Sequence, residues 1–252
     1  MSDTLLTIEH LAKSFGENTI HRDINLKLKK HEMLGLLGNS GTGKSVLLRS
    51  IIGLERIDSG KIYYQDKRID NLVEDELFPV RTKISYAFQN GALFDSINIF
   101  ENIAYPLFEH TKLTFTEITA KVENMLALVG LEGKTTLMPS DLSGGMRKRV
   151  GLARSIILNP DVVLYDEPTA GLDPVNTENI LNIMQKMKET GTAGIFVTHD
   201  IPAAVKVCDR IVIIDKGIIA YEGTPDDLMS SDNEIVNRFF KDHNDEYAKG
   251  KA

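Results

Sequence analysis

Apolar and polar positions along this chain change period several times, and the order of the changes is informative. Leu5-Leu6-Thr7-Ile8-Glu9-His10-Leu11 reads as a short strand, and Ile24-Asn25-Leu26-Lys27-Leu28 alternates with period two, as a half-buried strand does. Phe15-Gly16 between them is expected to put an aromatic ring in a turn. Met33-Leu34-Gly35-Leu36-Leu37 is apolar without a break, the mark of a strand covered on both faces. Val46-Leu47-Leu48-Arg49-Ser50-Ile51-Ile52 then switches to an amphipathic helical pattern. Further on, Asp58-Ser59-Gly60 predicts a turn and Lys61-Ile62-Tyr63-Tyr64 a strand, with Asp66-Lys67 at a hairpin tip. Lys83-Ile84-Ser85-Tyr86-Ala87-Phe88 reads as another strand, ending at Gln89.

From Ile97 to about Leu158 the pattern is helical. Thr114-Phe115-Thr116-Glu117 is a capping box; behind it Ile118, Val122, Met125, Leu126 and Val129 share one face, and Gly130 ends the helix. Asp161-Val162-Val163-Leu164-Tyr165 is a compact buried strand, and Ile180, Ile183, Met184 and Met187 stripe a helix. Ala193-Gly194-Ile195-Phe196-Val197 is the next strand, with Thr198-His199 at its tip. Asp200 caps a helix with Pro202 in its first turn and Ile201, Ala204, Val205 and Cys208 on its buried side. Ile211-Val212-Ile213-Ile214 and Ile218-Ile219-Ala220-Tyr221 flank Lys216-Gly217 as a closing hairpin. The sum is an α/β domain over residues 1–225, with a helical subdomain inserted at about 91–158. A polar tail, 226–252, follows, in which Ile235, Val236, Phe239 and Phe240 recur at helical spacing and dock either on their own domain or on another chain.

Composition narrows the class. At 252 residues, with 42% hydrophobic and 26% charged, the chain resembles an ordinary soluble globular protein. A net charge of −7 argues against nucleic acid as the main partner, since such binders present a basic face. Cys208 is the only cysteine, which excludes an internal disulfide, fits a reducing compartment and suits core filler. No apolar run approaches the ~18 residues of a membrane span, and Met1-Ser2-Asp3-Thr4 carries no leader pattern. The chain is expected in the cytosol, at a membrane only through a partner.

Gly38-Asn39-Ser40-Gly41-Thr42-Gly43-Lys44-Ser45 lies between an apolar strand and an amphipathic helix, the context of a phosphate-binding loop. Glycines let successive N–H groups turn toward an anion, and the helix adds its positive end. Lys44 is expected to reach the β- and γ-phosphates of a nucleoside triphosphate, and Ser45 to ligate Mg²⁺; Val46 completes the cradle. Asp166, closing an apolar strand, is the candidate carboxylate for Mg²⁺, and Glu167 beside it the candidate base for an attacking water. His199 could bond the γ-phosphate or that water, and Gln89 could touch Mg²⁺. Ser143-Gly144-Gly145 opens a further helix and makes a second anion-binding start. One chain hardly needs two γ-phosphate sensors, so the economical arrangement is a head-to-tail dimer in which each Ser143 loop covers the nucleotide on the partner's Lys44 loop. The chain lacks the Asn-Lys-x-Asp motif of a GTPase, the Gly-x-Ser-x-Gly elbow of a serine hydrolase, and zinc-ligand spacing.

The phosphate loop, Gln89, Leu142-Ser143-Gly144-Gly145-Met146, Asp166-Glu167, Ala170-Gly171-Leu172-Asp173 and His199 together resemble the nucleotide-binding subunit of an ABC transporter, in family order and over essentially the whole chain. The resemblance implies a P-loop NTPase (RecA-like) core with an N-terminal antiparallel β subdomain. It implies Phe15 as the aromatic that stacks on adenine, Gln89 as the link to a transmembrane subunit, and Asp173 as a contact across the dimer. Tyr165 departs from the aliphatic residue usual before the Mg²⁺-binding Asp. Phe88-Gln89-Asn90-Gly91-Ala92-Leu93-Phe94-Asp95, Met146-Arg147-Lys148-Arg149-Val150, Tyr105-Pro106-Leu107-Phe108-Glu109-His110-Thr111 and Leu137-Met138-Pro139-Ser140-Asp141 resemble, within that family, the ATPases of MCE-associated lipid transporters such as the Mla phospholipid system. That likeness implies an MlaE-like permease, a periplasmic MlaD-like MCE protein, a small MlaB-like STAS-domain protein, and work on outer-membrane lipid asymmetry. An amino-acid or lipoprotein transporter is the alternative.

Overall fold

The computed structural model describes residues 3–243. Met1 and Ser2, part of the segment read for a leader, and residues 244–252 of the expected tail lie outside the described residues. The chain divides into two units: one runs up to Val80 and resumes at Ala193, and the other is Arg81–Thr192.

The first unit opens with β1 (Thr4–Phe15), β2 (Asn18–Lys29) and β3 (Met33–Leu37), followed by α1 (Lys44–Ile51), β4 (Ser59–Tyr64), β5 (Lys67–Arg68) and α2 (Glu74–Arg81). β1 and β2 are longer than their alternation suggests. They form an antiparallel hairpin closed at Phe15↔Asn18, so Phe15 ends a strand and Gly16-Glu17 makes the turn. Register shifts between Ile8 and Leu11 and again between Leu11 and Lys13 interrupt the period-two signal, which hid the full length. Ser59-Gly60 lies in β4 instead of a turn. Gly60 has φ +99, and a Cβ there would sit 2.6 Å from the His10 carbonyl oxygen, so the glycine lets β4 close on the bulged β1.

In the second unit β6 (Ile84–Ala87) pairs in parallel with β7 (Val162–Asp166). Between them come α3 (Ile99–His110), α4 (Phe115–Leu128) and α5 (Gly144–Ile156); α6 (Pro174–Glu189) follows β7. Ile99, Ile103 and Leu107 of α3, Ile118, Val122 and Leu126 of α4, and Val150 and Ile156 of α5 form the helical core. The Thr114–Glu117 capping box is present, and Asn98–Glu101 makes another at the start of α3. Arg149 closes the other end of α4 by donating to the Val129 and Gly130 carbonyls, at 2.8 and 3.3 Å.

The first unit then resumes with β8 (Ala193–Val197), α7 (Ile201–Val207), β9 (Arg210–Asp215), β10 (Ile218–Gly223), α8 (Pro225–Ser230) and α9 (Glu234–His243). Its strand order is β5-β4-β1-β2-β10-β9-β3-β8. β3 is parallel to β8 and β9 and buried at every residue, as its unbroken apolar run requires. The buried side of α7 is Ile201, Ala203, Ala204 and Val207, with Val205 only half-buried; Cys208 is buried against Gly35. The apolar tail residues Val236, Phe239 and Phe240 are buried on α9, which is tied to its own unit by Arg238–Asp215 at 2.6 Å and by Asn39 donating to Asp242 at 3.0 Å. No helix among the described residues is long and apolar enough to cross a membrane.

Candidate functional site

The phosphate loop is a compact turn joining β3 to α1. Three of its glycines have positive φ: Gly38 at 154°, Gly41 at 81° and Gly43 at 89°. Space matters as much as conformation. A Cβ on Gly38 would lie 2.7 Å from the Ile214 carbonyl oxygen, and one on Gly43 would lie 2.3 Å from Ile20 and 2.6 Å from His21. Thr42 Oγ1 donates to the Asn39 carbonyl at 2.9 Å and tightens the turn. Lys44 is 6% exposed, its ammonium donating to the Gly38 and Asn39 carbonyls at 2.8 and 3.1 Å. The N-cap of α1 is Gly43, which has no side chain to cap the helix, and the first turn holds no acidic residue. An anion can therefore take the place that a capping side chain has elsewhere.

The same unit carries the two other nucleotide-facing candidates. Phe15 is 46% exposed, with the Lys13 ammonium 4.6 Å from its ring centroid. Lys13 is in turn fixed by the Arg56 carbonyl at 2.7 Å and Glu55 at 2.9 Å, so the ring rests on a held cation. His199 is exposed just past β8, between buried Thr198 and the α7 cap Asp200.

The second unit carries the acids. β7 delivers Asp166 at its end, 9% exposed, with Oδ2 accepting a hydrogen bond from Tyr86 Oη at 2.6 Å. Glu167 follows with φ +47, left-handed for a residue that is not glycine. Such a backbone costs on the order of 1–2 kcal/mol, and strain of this kind concentrates at functional positions. Below it, Ala170 N–H donates to the Glu167 carbonyl at 3.2 Å, and Lys148 of α5 donates to the Ala170 carbonyl. Burial lowers the pKa of that lysine, while the nearby Glu167 carboxylate acts the other way. Tyr165 is fully buried with no partner for its hydroxyl, and burial pushes its phenol upward; nothing in the structure explains why a phenol sits there.

Ser143 is exposed and caps α5, its side chain accepting from Met146 N–H at 3.3 Å. Asp173 caps α6 through Val175 and Asn176 N–H, both at 3.0 Å. The Asn176 side chain, ahead of these backbone donors, holds the Asp173 carboxyl below its usual range. Asn176 also backs the Ser143 loop, since a Cβ on Gly145 would lie 2.8 Å from it. Asn176 thus links Asp173 to Gly145, two residues on from Ser143. Gln89 is exposed past the end of β6, and its segment is tied to α5: Arg154 donates to Ala92 O at 2.6 Å, and a Cβ on Gly151 would lie 2.4 Å from Gly91 Cα.

Residues 21–170 match the family model described as ABC transporter, and the chain belongs to that family. Among named relatives, the intermembrane phospholipid transport system ATP-binding protein MlaF of Haemophilus influenzae is 38% identical over 247 residues, covering 97% of this chain and 93% of MlaF. The probable ribonucleotide transport ATP-binding protein mkl of Mycobacterium tuberculosis is 41% identical over 235 residues, covering 93% of this chain; the chain spans 66% of that relative's length. The ATP-binding cassette MJ0796, solved as a dimer in a post-hydrolysis state bound to ADP and Pi, has 30% identity and a TM-score of 0.82, over 88% of this chain and 99% of MJ0796. The fold is that of an ATP-binding cassette, the P-loop α/β class that the motifs imply.

Two groups escaped the sequence reading. Tyr86 was legible only as a strand residue, because its partner Asp166 lies 80 positions away. His21 gave no signal, because its contact with the phosphate loop depends on how β2 lies against Gly43.

Proposed function

We propose that this chain is the ATP-hydrolysing subunit of a membrane transporter that moves phospholipid between inner and outer membranes and so maintains outer-membrane lipid asymmetry. The observation that carries the ATPase reading is the phosphate loop, with positive-φ glycines, a buried lysine bonded across the turn and an uncapped helix start. Phe15 stacks on adenine, and residues 38–46 hold the phosphates. Ser45, Gln89 and Asp166 offer only hard oxygen donors, a set that suits Mg²⁺. When bound, that ion neutralises charge on the β- and γ-oxygens. Glu167 polarises the attacking water, and His199 bonds the γ-phosphate or that water. Ser143, Gly144 and Gly145 act on the nucleotide of a second copy in a head-to-tail dimer, and Asp173 contacts that copy across the dimer. ATP, bridging two chains, favours the closed state by its differential affinity.

The cargo reading rests on likeness to MlaF, whose name states intermembrane phospholipid transport, and on the helical-region stretches quoted above. It gives the chain an MlaE-like permease, an MlaD-like periplasmic MCE protein, an MlaB-like STAS-domain protein, and a place on the cytoplasmic face of the inner membrane. Two experiments test the two halves. Glu167→Gln is expected to bind ATP, hydrolyse it very slowly and trap the closed dimer; normal turnover would remove Glu167 from its role. Co-purification with an MCE protein supports phospholipid, whereas capture of a solute-binding protein would move the cargo to an amino acid.

A further inference from the structure

His21 lies on β2, fully buried at 0% exposure, yet it is a polar residue on a strand whose inward positions otherwise hold Ile24, Leu26 and Leu28. Its Nε2 is 3.2 Å from the carbonyl oxygen of Gly43, the residue just before Lys44. A carbonyl oxygen only accepts, so the ring must donate there and carries its proton on Nε2. Nδ1 is then a buried lone pair, and it has no hydrogen-bond partner. Burial lowers the pKa of this histidine, with the Gly43 contact acting the other way, which agrees with a neutral ring. Leucine at this position would fill the space and avoid the orphaned nitrogen, so stability does not explain the histidine.

The contact has a geometric consequence. The Gly43 carbonyl already accepts the Leu47 N–H at 2.9 Å as the first turn of α1 closes; His21 occupies its second lone pair. In a planar trans peptide the carbonyl and the following N–H point in opposite directions. Pinning the Gly43 carbonyl from behind therefore aims the Lys44 N–H away from β2, into the cradle where a β-phosphate lies in the reading above. Gly43, at φ +89, has no side chain of its own to hold that peptide plane. His21 also sits directly across the hairpin from Lys13, which fixes the Phe15 ring. One hairpin thus bears on both ends of the nucleotide.

We infer that His21 is a positioning residue of the nucleotide site, orienting the Gly43–Lys44 peptide for phosphate binding. The inference rests on the ATP-binding reading, and its test separates the two. Full-length His21→Leu, His21→Gln and Lys44→Ala are compared with the parent chain in titrations with a fluorescent ATP analogue and Mg²⁺, in ATPase KM and kcat, and in thermal unfolding. His21→Leu is expected to unfold at the same or a higher temperature while ATP affinity falls about three- to tenfold, the worth of one neutral hydrogen bond. His21→Gln keeps an N–H donor and is expected to recover most of that affinity. Parent-like affinity in His21→Leu, with Lys44→Ala impaired, would overturn the role of His21 and leave the ATP reading standing. A parallel loss of stability and affinity that glutamine does not rescue would reduce His21 to packing. Parent-like binding by Lys44→Ala would bring down both readings.

Discussion

Among the described residues, two helices start from glycine-rich stretches, α1 and α5, and they are built on opposite plans. α1 begins from Gly43 in a left-handed conformation, with no side-chain cap and a buried lysine as its first residue. Neighbours crowd that loop at Gly38 and Gly43, and its lysine is bonded to the loop's own carbonyls. α5 begins from Ser143 in an extended conformation, is capped by the Ser143 hydroxyl, and leaves Ser143 and Gly144 exposed, with open space where a Gly144 Cβ would go. The first start is a cradle made within one chain. The second has only its Met146 N–H capped, by Ser143, and presents small residues, Ser143 and Gly144, to the outside. A helix N-terminus offers N–H donors to an anion, and it holds the anion more strongly where protein closes around it and excludes water. At α1 the same chain does the closing; in the dimer proposed above, a second copy does it at α5.

The largest expected effect comes from breaking the cradle. Lys44→Ala removes the one buried cation of the loop, and hydrolysis is expected to fall by roughly two to three orders of magnitude, as on loss of a pre-organised charge-stabilising group. Steady-state ATPase assays check it, and near-normal turnover would mean that the α1 start is an ordinary turn. The α5 start is probed by Ser143→Arg, which buries no part of its own core but adds bulk to the surface offered to a partner. Alone, this variant is expected to be inactive. Mixed with Lys44→Ala it should regain part of the activity, because a mixed dimer holds one site with an intact Lys44 loop facing an intact Ser143 loop. Two proteins that stay silent together would place both motifs on one chain's own nucleotide and erase the contrast.

The two starts also differ in how far the sequence disclosed them. The strand-glycine-helix order around residues 38–45 is local, and so the loop, the caps at Thr114 and Asp200, and the buried strands β3, β7 and β8 could all be read from neighbouring residues. Contacts across sequence distance could not. Tyr86 bonds Asp166, Arg149 closes α4 from 20 residues away, and Lys148 supports the turn after Glu167. Each is a polar side chain whose local pattern shows only an exposed or half-buried position. α2 was silent for another reason: it carries Pro79 and buries only Leu77 and Val80, too few for a helical period. The bulges in β1 hid the strand's full length for the converse reason, since one extra residue flips the alternation. Glu167 was found by its neighbours, but its left-handed backbone was not, because nothing in Asp-Glu-Pro-Thr forces it.

The finest contrast between the two starts lies in a single methyl group. A Cβ on Gly41 and a Cβ on Gly144 would each meet nothing within 4 Å, so sterics alone would tolerate alanine at both. Their backbones differ: Gly41 has φ +81, whereas Gly144 takes ordinary helical geometry as the first residue of α5. Alanine at 41 must adopt a left-handed conformation, which costs about 1 kcal/mol or somewhat more. At 144 alanine restricts the unfolded chain and suits a helix, a gain of up to about 0.5–1 kcal/mol. Thermal or urea unfolding of the two variants should therefore shift in opposite directions. Activity should not follow stability. Gly144→Ala, the more stable of the two, is expected to lose hydrolysis in the dimer if its open space is reserved for a nucleotide held by another copy. A Gly144→Ala protein that is both more stable and fully active would show that this space faces only water, and the helix start at α5 would then be a well-made cap and nothing more.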